Sequence, residues 1–381
     1  MTKSPTPIKW TDLPQAKRRS SPLRRIQRRI KRYMLPIAVA VAVIIAVSVV
    51  IYSTLQNKVA SPIDSLTVIS GDAMGSVWIV KIPNRDLHDA HLSQKQLKTD
   101  VDALLAKLNS EMSLWNPSGE LSKFNDNVKS DWIEIPAEMA ELITRSLLLS
   151  EKTDGAFDIT VAPLVFLWGF GPPALNTNLG IAPSLDRIER AKTMVGYRNL
   201  QCQNNPPGLR KFDPAVQIDL GGIAKGYAVD KVAAYLELLP IKNYLISIGG
   251  ELQGKGDSPE GPGWRVGIQI PATDTRKIFR PIILHNQCLS TSGDYNNILT
   301  IDGKTYSHLI NPQTGMAMEC KSSSVSEIAS DSTTADALAT AFFVLGKDRA
   351  LQLAPELKAE ALFIWKGKTE FETAQTAGFP K

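Results

Sequence analysis

The sequence contains few of the residues that build soft-metal or thiol sites. Its three cysteines, Cys202, Cys288 and Cys320, are widely spaced and include no CxxC pair, so a structural zinc site is not expected. Their number is compatible with one disulfide, whose pairing the sequence does not indicate. The phosphate-loop motif GxxxxGK[ST] and the nucleophile motif GxSxG are also absent, which argues against P-loop proteins and against serine hydrolases of that pattern.

Positive charge is concentrated at the start of the chain. Residues 1–32 hold eleven of the 43 Lys and Arg residues and one of the 38 Asp and Glu residues, which leaves 32 basic and 37 acidic residues in the remainder. A nucleic-acid-binding domain needs a basic folded surface or groove. The mildly acidic remainder therefore argues against a nucleic-acid partner.

An uncharged segment follows this basic cluster. Residues 33–57 carry no charge, and residues 34–52 are apolar over about the length that crosses a bilayer. Because positive residues mark the cytoplasmic side, we expect a basic cytoplasmic tail over 1–32, a transmembrane anchor over 33–54, a linker over 55–65 and one domain outside the cytoplasm over 66–381. A cleaved signal peptide is the alternative, although Lys58 makes the site near Ala60 a poor one.

Hydrophobic spacing predicts interspersed helices and strands without regular βαβ units. Helices are predicted over 93–112, 137–151, 185–194, 224–239 and 332–345, with Ser184 as the N-cap of the third. Strands are predicted over 76–82, 216–220, 244–248, 264–270, 280–285, 295–301 and 361–365, and Asp302-Gly303 is a hairpin turn signal. This order favours an α+β fold with mixed or antiparallel sheets and packed helices.

The glycine turn at residues 221–222 is the clearest candidate site. Segment 216–220 has the pattern of a strand, and a predicted helix begins directly after the two glycines. A strand that turns into a helix in this way directs free backbone N–H groups and the positive end of the helix dipole toward a phosphate. Asp219 and Lys225 add one charge of each sign. The alternative is a plain strand-turn-helix connection with solvated charges.

Two oxygen-bearing side chains share one face of the predicted 332–345 helix. Asp336 and Thr340 are four residues apart, which places them on the same side of a helix. With a nearby carbonyl they form an oxygen-only donor set, which favours Mg²⁺ over zinc. The alternative is that the hydroxyls of residues 332–334 cap the helix and Asp336 interacts with the helix dipole.

His308 and a hydroxyl-rich segment are weaker candidates. His308 is predicted at a strand end before an Asn-Pro turn, where it could act as a base, bind phosphate or cap the turn. The LSTSG segment at 289–293 has the composition of a loop whose three hydroxyls could hold a phosphate, although ordinary turns share that composition. The glycines after residue 248 do not form a dinucleotide fingerprint, because no helix is predicted behind them.

Taken in order, eight segments within residues 70–346 resemble the FAD:protein FMN transferases, the ApbE-like flavin transferase family. Each segment is common by itself, and their ordered combination is specific. The segments are AMGS at 73–76, MSLWNPSGELSKFN at 112–125, DGAFDITVAPLVFLWGFG at 154–171, IDLGGIAKGYAVD at 218–230, ISIGGELQGKG at 246–256, LSTSGDY at 289–295, HLINPQTG at 308–315 and ADALATA at 335–341.

The resemblance implies transfer of FMN from FAD to a Thr or Ser hydroxyl of an acceptor protein, assisted by Mg²⁺ and with release of AMP. It implies that the acceptor is a membrane redox subunit and that the active domain lies on the periplasmic side of a bacterial inner membrane. Catalytic roles are implied for His308 and Asp336. The implied Mg²⁺ ligands are the side chains of Asp336 and Thr340 and the carbonyls of Ala224 and Ala339. The residues implied to line the FAD site are Met74, Trp115, Asp154, Gly155, Ala156, Gly221, Tyr227 and His308.

Two positions depart from the family pattern. Many relatives have Tyr where Trp115 stands, so an aromatic face is kept and a hydroxyl is lost. Relatives often have Asp where Asn311 stands, which weakens a catalytic role for that position. The same residues would also suit a metal-dependent FAD pyrophosphatase that yields FMN and AMP, or a membrane-tethered flavin-binding protein without catalysis.

Overall fold

The computed structural model describes residues 65–176, 181–273 and 275–381, together with Val47. All of these except Val47 belong to one compact unit, Pro62–Lys381. The predicted basic tail, the anchor at 33–54 apart from Val47, and nearly all of the linker lie outside the described residues. Within the described part, no helix is both long enough and apolar enough to cross a bilayer.

The described ranges contain sixteen strands and nine α-helices, which confirms the prediction of an α+β fold with antiparallel sheets and packed helices. The strands are β1 (Leu66–Ala73), β2 (Ser76–Pro83), β3 (Ile133–Glu134), β4 (Leu200–Asn204), β5 (Pro207–Lys211), β6 (Tyr244–Ile248), β7 (Glu251–Lys255), β8 (Trp264–Gln269), β9 (Ile278–Leu284), β10 (Gln287–Gly293), β11 (Ile298–Ile301), β12 (Lys304–Ile310), β13 (Ala317–Glu319), β14 (Ser323–Ala329), β15 (Glu360–Lys366) and β16 (Phe371–Gln375). The helices are α1 (Asn84–Asp89), α2 (Gln94–Met112), α3 (Glu120–Asp126), α4 (Ala137–Lys152), α5 (Ala162–Trp168), α6 (Leu185–Lys192), α7 (Ala224–Leu238), α8 (Ser332–Leu345) and α9 (Lys347–Leu357).

An antiparallel sheet of eight strands forms the centre of the fold, in the order β1-β2-β6-β7-β10-β14-β15-β16. Helix α7 packs against β6 and β7, and α8 packs against β10 and β14. The opposite face carries a smaller apolar cluster that includes Leu289, Ile328 and Leu362, beside the two-stranded sheet β8-β9. The sheet therefore brings α7 and α8, which are distant in sequence, onto one surface.

Local sequence signals account for several element boundaries. Ser93, Ser184 and Asp331 each accept a hydrogen bond from a backbone N–H in the first turn of α2, α6 and α8, so these helices begin where a capping side chain is available. The predicted hairpin turn between β11 and β12 is confirmed, because Asp302 and Gly303 both have positive φ, of 52° and 76°.

Segment 216–220 is not a strand, contrary to the prediction from its alternating apolar residues. Val216, Ile218 and Leu220 are buried as that alternation requires, but they pair with no strand in the described part of the chain. The side-chain amide of Asn125 takes the place of a strand: it donates to the Ile218 carbonyl at 2.9 Å and accepts from the Ile218 N–H at 2.8 Å. All three cysteines are free thiols.

Candidate active site

Helices α7 and α8 touch at Gly226. The Gly226 N–H donates to Asp336 Oδ2 at 2.9 Å, and a Cβ at residue 226 would lie only 2.2 Å from the carbonyl oxygen of Ser332. A larger residue would force the two backbones apart, so glycine is needed for this approach. The contact brings the glycine turn and the oxygen-bearing face of α8 together.

Gly222 makes a second close contact at the same junction. A Cβ there would lie 3.3 Å from Thr340 Oγ1 and 3.4 Å from a ring carbon of Phe157. Thr340 Oγ1 is also 3.1 Å from Ser292 Oγ on β10. Four of the eight segments therefore meet at this point. The prediction of a loop at 289–293 is wrong, because these residues belong to a central strand whose alternate hydroxyls face α8.

Lys225 lies between two buried carboxyl groups. Its Nζ forms an ion pair with Glu251 and is 3.8 Å from Asp336 Oδ1. Its aliphatic stem passes the β6–β7 turn, where a Cβ at Gly249 would lie 3.1 Å from Lys225 Cδ and 3.1 Å from Ser76 Oγ. The junction thus holds one ammonium and two acidic groups, whose oxygens can attract a cation.

Burial and mutual attraction shift the pKa values in this cluster. Burial lowers the pKa of Lys225, but the charges of Asp336 and Glu251 outweigh it and raise the pKa, so the ammonium stays protonated. Burial also raises the pKa of Glu251, against the attraction of Lys225. Glu251 was not among the candidates from sequence. The one feature of the sequence that could have identified it is its position directly after Gly249-Gly250. These glycines form the turn from β6 to β7, and β7 packs against α7.

The backbone N–H groups at the glycine turn are largely used inside the protein. Gly221 N donates to Asp219 Oδ1 at 2.8 Å, and two further amides donate to the Leu220 carbonyl. Gly226 N donates to Asp336 Oδ2. The expectation that these particular groups face a phosphate freely is therefore wrong, because carboxylates of the chain and the turn itself already satisfy them.

His308 offers a buried nitrogen without a partner. It lies near the end of β12, before the Asn-Pro turn, as predicted. Its Nδ1 makes no hydrogen bond within the described part of the chain. Burial lowers the pKa of His308, the Asn297 carbonyl opposes this, and the positive charge of Lys225 lowers it further. The imidazole is therefore neutral near pH 7 and able to accept a proton.

The turn after β12 contacts the segment that follows α4. Gln313 Nε2 donates to the Asp154 carbonyl at 2.8 Å, and Trp168 Nε1 donates to the Gly315 carbonyl at 2.9 Å. Asp154 and Gly155 have positive φ, of 52° and 75°, and the neighbouring Ala156 is buried. The His308 turn and the predicted FAD-lining segment 154–156 are thus joined.

The remaining residues implied to line the FAD site differ in their surroundings. Met74 and Gly75, with φ of 53° and 70°, form the two-residue turn between β1 and β2, and that turn lies at the same sheet end as Gly249. Trp115 is 66% exposed between α2 and α3. Tyr227 is 1% exposed, and its hydroxyl donates to Glu141 Oε2 on α4 at 2.9 Å, so this hydroxyl is engaged within the protein.

The donor set around Asp336 fits a hard divalent cation. Asp336 Oδ1 has Lys225 Nζ at 3.8 Å, a longer separation than a hydrogen bond, and Thr340 Oγ1 lies one turn further along α8. The carbonyls of Ala224 and Ala339 belong to the same two helices, and a carbonyl that accepts one helical hydrogen bond keeps a second lone pair. In the residues described, no three His, Cys, Asp or Glu side chains cluster as a metal site. The candidate donors are therefore hydroxyl, carbonyl and carboxylate oxygens, the types that Mg²⁺ prefers.

Comparisons with known proteins agree with this arrangement. A model of the ApbE family matches residues 74–363. The FAD:protein FMN transferase of Haemophilus influenzae is 35% identical over 319 residues, which cover 82% of this chain and 90% of that protein. The structure of the flavin transferase ApbE from Vibrio cholerae superposes with a TM-score of 0.72 at 32% identity, covering 83% of this chain and 98% of that one. The apo form of the Pseudomonas stutzeri flavinyl transferase ApbE superposes with a TM-score of 0.73 at 33% identity, covering 82% and 95%.

Proposed function

This chain belongs to the ApbE family, and on that premise we propose that it is an FAD:protein FMN transferase. It moves FMN from FAD to a Thr or Ser hydroxyl of an acceptor protein and releases AMP. The observation that carries the proposal is the junction of α7 and α8, where Gly226 and Gly222 bring Asp336 and Thr340 against the glycine turn. Two helices more than a hundred residues apart thereby form one oxygen-lined site.

Asp336 and Thr340, with the carbonyls of Ala224 and Ala339, would hold Mg²⁺ at this junction. When bound, the cation supplies positive charge against the diphosphate oxygens of FAD. The two acidic groups that face Lys225, Asp336 and Glu251, support a cation there. Lys225 adds a fixed positive charge for the phosphates from the protein itself.

His308 is the candidate base for the acceptor hydroxyl. Its neutral imidazole and its unpartnered Nδ1 allow it to take a proton at physiological pH. Gln313 connects the turn after His308 to Asp154 by a hydrogen bond, and this bond fixes the turn beside the segment proposed to line FAD. Met74, Trp115, Gly155, Ala156, Gly221 and Tyr227 complete the proposed FAD-lining set.

The acceptor and the location of the reaction follow from the same proposal. We expect a membrane redox subunit as the acceptor, and a catalytic domain held on the periplasmic side of a bacterial inner membrane by residues 33–54. The uncharged 33–57 segment and the basic residues before it support this topology.

The test uses Asp336→Asn, because the amide oxygen can still accept from Gly226 N while the negative charge is lost. The full-length chain is incubated with FAD, Mg²⁺ and a candidate acceptor, and in-gel flavin fluorescence of the acceptor is measured. We expect a loss of roughly 100-fold or more for Asp336→Asn. Asp348→Asn, on an exposed acid of α9, serves as the matched control and should keep full transfer.

Two outcomes would contradict the transferase activity, and a third would contradict the metal assignment. Release of free FMN with an unlabelled acceptor would favour the FAD pyrophosphatase. Bound FAD that stays intact after Mg²⁺ is added would favour a flavin-binding protein without catalysis. Full transfer by a folded Asp336→Asn variant would remove the metal assignment.

A further inference from the structure

Three buried side chains with unpartnered oxygens occupy neighbouring strands of the central sheet. Glu251 Oε2, Ser290 Oγ and Glu327 Oε2 make no hydrogen bond within the described ranges. Ser290 and Glu327 are fully buried and Glu251 is 3% exposed. Such groups are uncommon in folded proteins, and three that face one another across adjacent strands call for a common explanation.

The strand register places the three side chains in one row. Ser290 on β10 pairs directly with Glu327 on β14. Leu289 pairs with Leu252, so the same register sets Ser290 opposite Glu251 on β7. Directly paired residues share a face and have Cβ atoms about 4.5–5.5 Å apart. The Ser290 hydroxyl opposes the rise in the pKa of Glu251, so the two side chains are neighbours, although no hydrogen bond joins them as the side chains stand.

Glu327 stands at the end of this row without a compensating cation. Its Oε1 accepts from the Glu360 N–H at 3.0 Å, and no Lys, Arg or His in the described residues forms an ion pair with it. The Glu360 carboxylate on β15 acts on it, and Glu251 with its partner Lys225 lies beyond Ser290 in the strand register. Burial, with the negative charge of Glu360, raises the pKa of Glu327 well above its usual range. A buried carboxyl without a cation becomes neutral and so gains an O–H donor.

We propose that Glu327 is a neutral carboxylic acid whose Oε2–H donates to Ser290 Oγ, that Ser290 donates to Glu251 Oε2, and that this chain holds Glu251 against Lys225 beside Asp336. A rotation of these facing side chains then lets one proton on Glu327 provide hydrogen-bond partners for Glu251 Oε2, Ser290 Oγ and Glu327 Oε2. Glu327 and Ser290 are positioning residues, since they act on the site through Glu251 and Lys225. The consequence for FMN transfer rests on the proposed function, whereas the existence of the hydrogen-bond chain does not.

Two substitutions of Glu327 distinguish a role in this hydrogen-bond chain from a merely structural role. Glu327→Gln copies the neutral acid, because its amide oxygen can accept from Glu360 N and its Nε2 can donate to Ser290. Glu327→Leu keeps similar volume and removes both functions. Ser326→Ala is the matched control, because it removes a buried hydroxyl that bonds Thr291 on the opposite face of the same strand pair.

The first measurement is denaturant unfolding of the full-length chain at pH 5 and pH 7. The pKa of Glu327 is raised in the folded state, so its stabilising contribution is complete below the unfolded-state pKa of about 4.3 and is lost as pH rises through the folded-state value. The Gln side chain has no proton to release. The unfolding constant of the parent relative to Glu327→Gln should therefore rise by roughly tenfold per pH unit within that window. Ser326→Ala should differ from the parent equally at both pH values.

The second measurement is the rate at which an amine-acylating ester labels Lys225, followed by peptide mass mapping of the full-length chain. Ser290→Ala and Glu327→Leu should raise this rate several-fold, and Glu327→Gln should restore the parental rate. In the transfer assay, the same two damaging variants should lower kcat for FMN transfer more than they change KM for FAD.

The proposal is overturned if Glu327→Gln is destabilised as much as Glu327→Leu at both pH values, because the carboxyl would then be ionised. It is also overturned if Lys225 labelling is unchanged in a folded Ser290→Ala variant. Neither readout depends on catalysis. An absence of transfer in the parent chain would refute the proposed function, and the unfolding and labelling results would still decide the hydrogen-bond chain.

Discussion

Gly226→Ala tests whether the contact between α7 and α8 maintains the site. The new methyl group would lie 2.2 Å from the Ser332 carbonyl oxygen and 2.8 Å from Asp336 Cβ. Ordinary contacts lie at about 3.5 Å, so the helices must separate by roughly an ångström. The oxygen belongs to the backbone and cannot rotate away. Asp336 and Thr340 would therefore move away from the glycine turn.

Opposing contributions set the size of the effect. Overpacking a buried contact costs about 1–3 kcal/mol. Loss of the 2.9 Å hydrogen bond from Gly226 N to the Asp336 carboxylate would cost about 1.5–3 kcal/mol more. Alanine is favoured over glycine inside a helix by about 1 kcal/mol, which offsets part of this. We expect a net decrease in the free energy of unfolding of about 2–4 kcal/mol.

Urea denaturation of the full-length chain measures this decrease, and the flavin-fluorescence assay measures the accompanying loss of transfer. Gly208→Ala on β5 is the control, because its Cβ would meet a flexible Gln203 side chain at 3.3 Å and the backbone there needs no positive φ. It should change both quantities little. A Gly226→Ala protein with parental stability and parental transfer would refute the argument that this helix contact builds the site.

Three further predictions follow from individual contacts. Asn125→Ala should lower the free energy of unfolding by about 2–4 kcal/mol in urea denaturation, because two buried hydrogen bonds to Ile218 are lost. Gln313→Ala should raise KM for FAD more than it lowers kcat, since the donor to the Asp154 carbonyl is removed, and an unchanged KM would contradict this. Burial lowers the pKa of His308 from its usual value, so the fall in transfer on acidification should occur at a lower pH than the titration of a free imidazole. His308→Gln should abolish that acidic decline along with most activity.

Segments whose structure depends on near neighbours were predicted well. The 332–345 helix and the 244–248 strand have the predicted bounds, and Ser184 caps the 185–194 helix as predicted. The 93–112 helix likewise begins at a Ser cap, Ser93. Each of these signals involves residues within about four positions of each other. The ordered segments that resemble the flavin transferases could also be identified from the sequence, because the order of motifs is a property of the sequence itself.

Segment 216–220 and the LSTSG segment were assigned wrongly for one reason. Alternating apolar residues at 216–220 show that one side is buried, but they do not show whether a strand or the amide of Asn125 satisfies the backbone. The hydroxyls at 290–292 have the composition of a turn, yet their neighbours in space are β7, β14 and α8. In both cases the deciding partner lies far away along the chain.

From the sequence alone came the fold class, the helices of the site and the identity of Asp336, Thr340 and His308 as candidates. The tertiary structure decided which contacts they make. Gly226 N donates to one oxygen of Asp336, Glu251 forms an ion pair with Lys225, and the hydroxyl of Tyr227 donates to Glu141 on α4. Helix periodicity and capping act over a few residues and are written in local sequence. Charge pairing and the pKa of a buried group depend on which atoms packing brings within a few ångströms, and that is determined only when distant segments fold together.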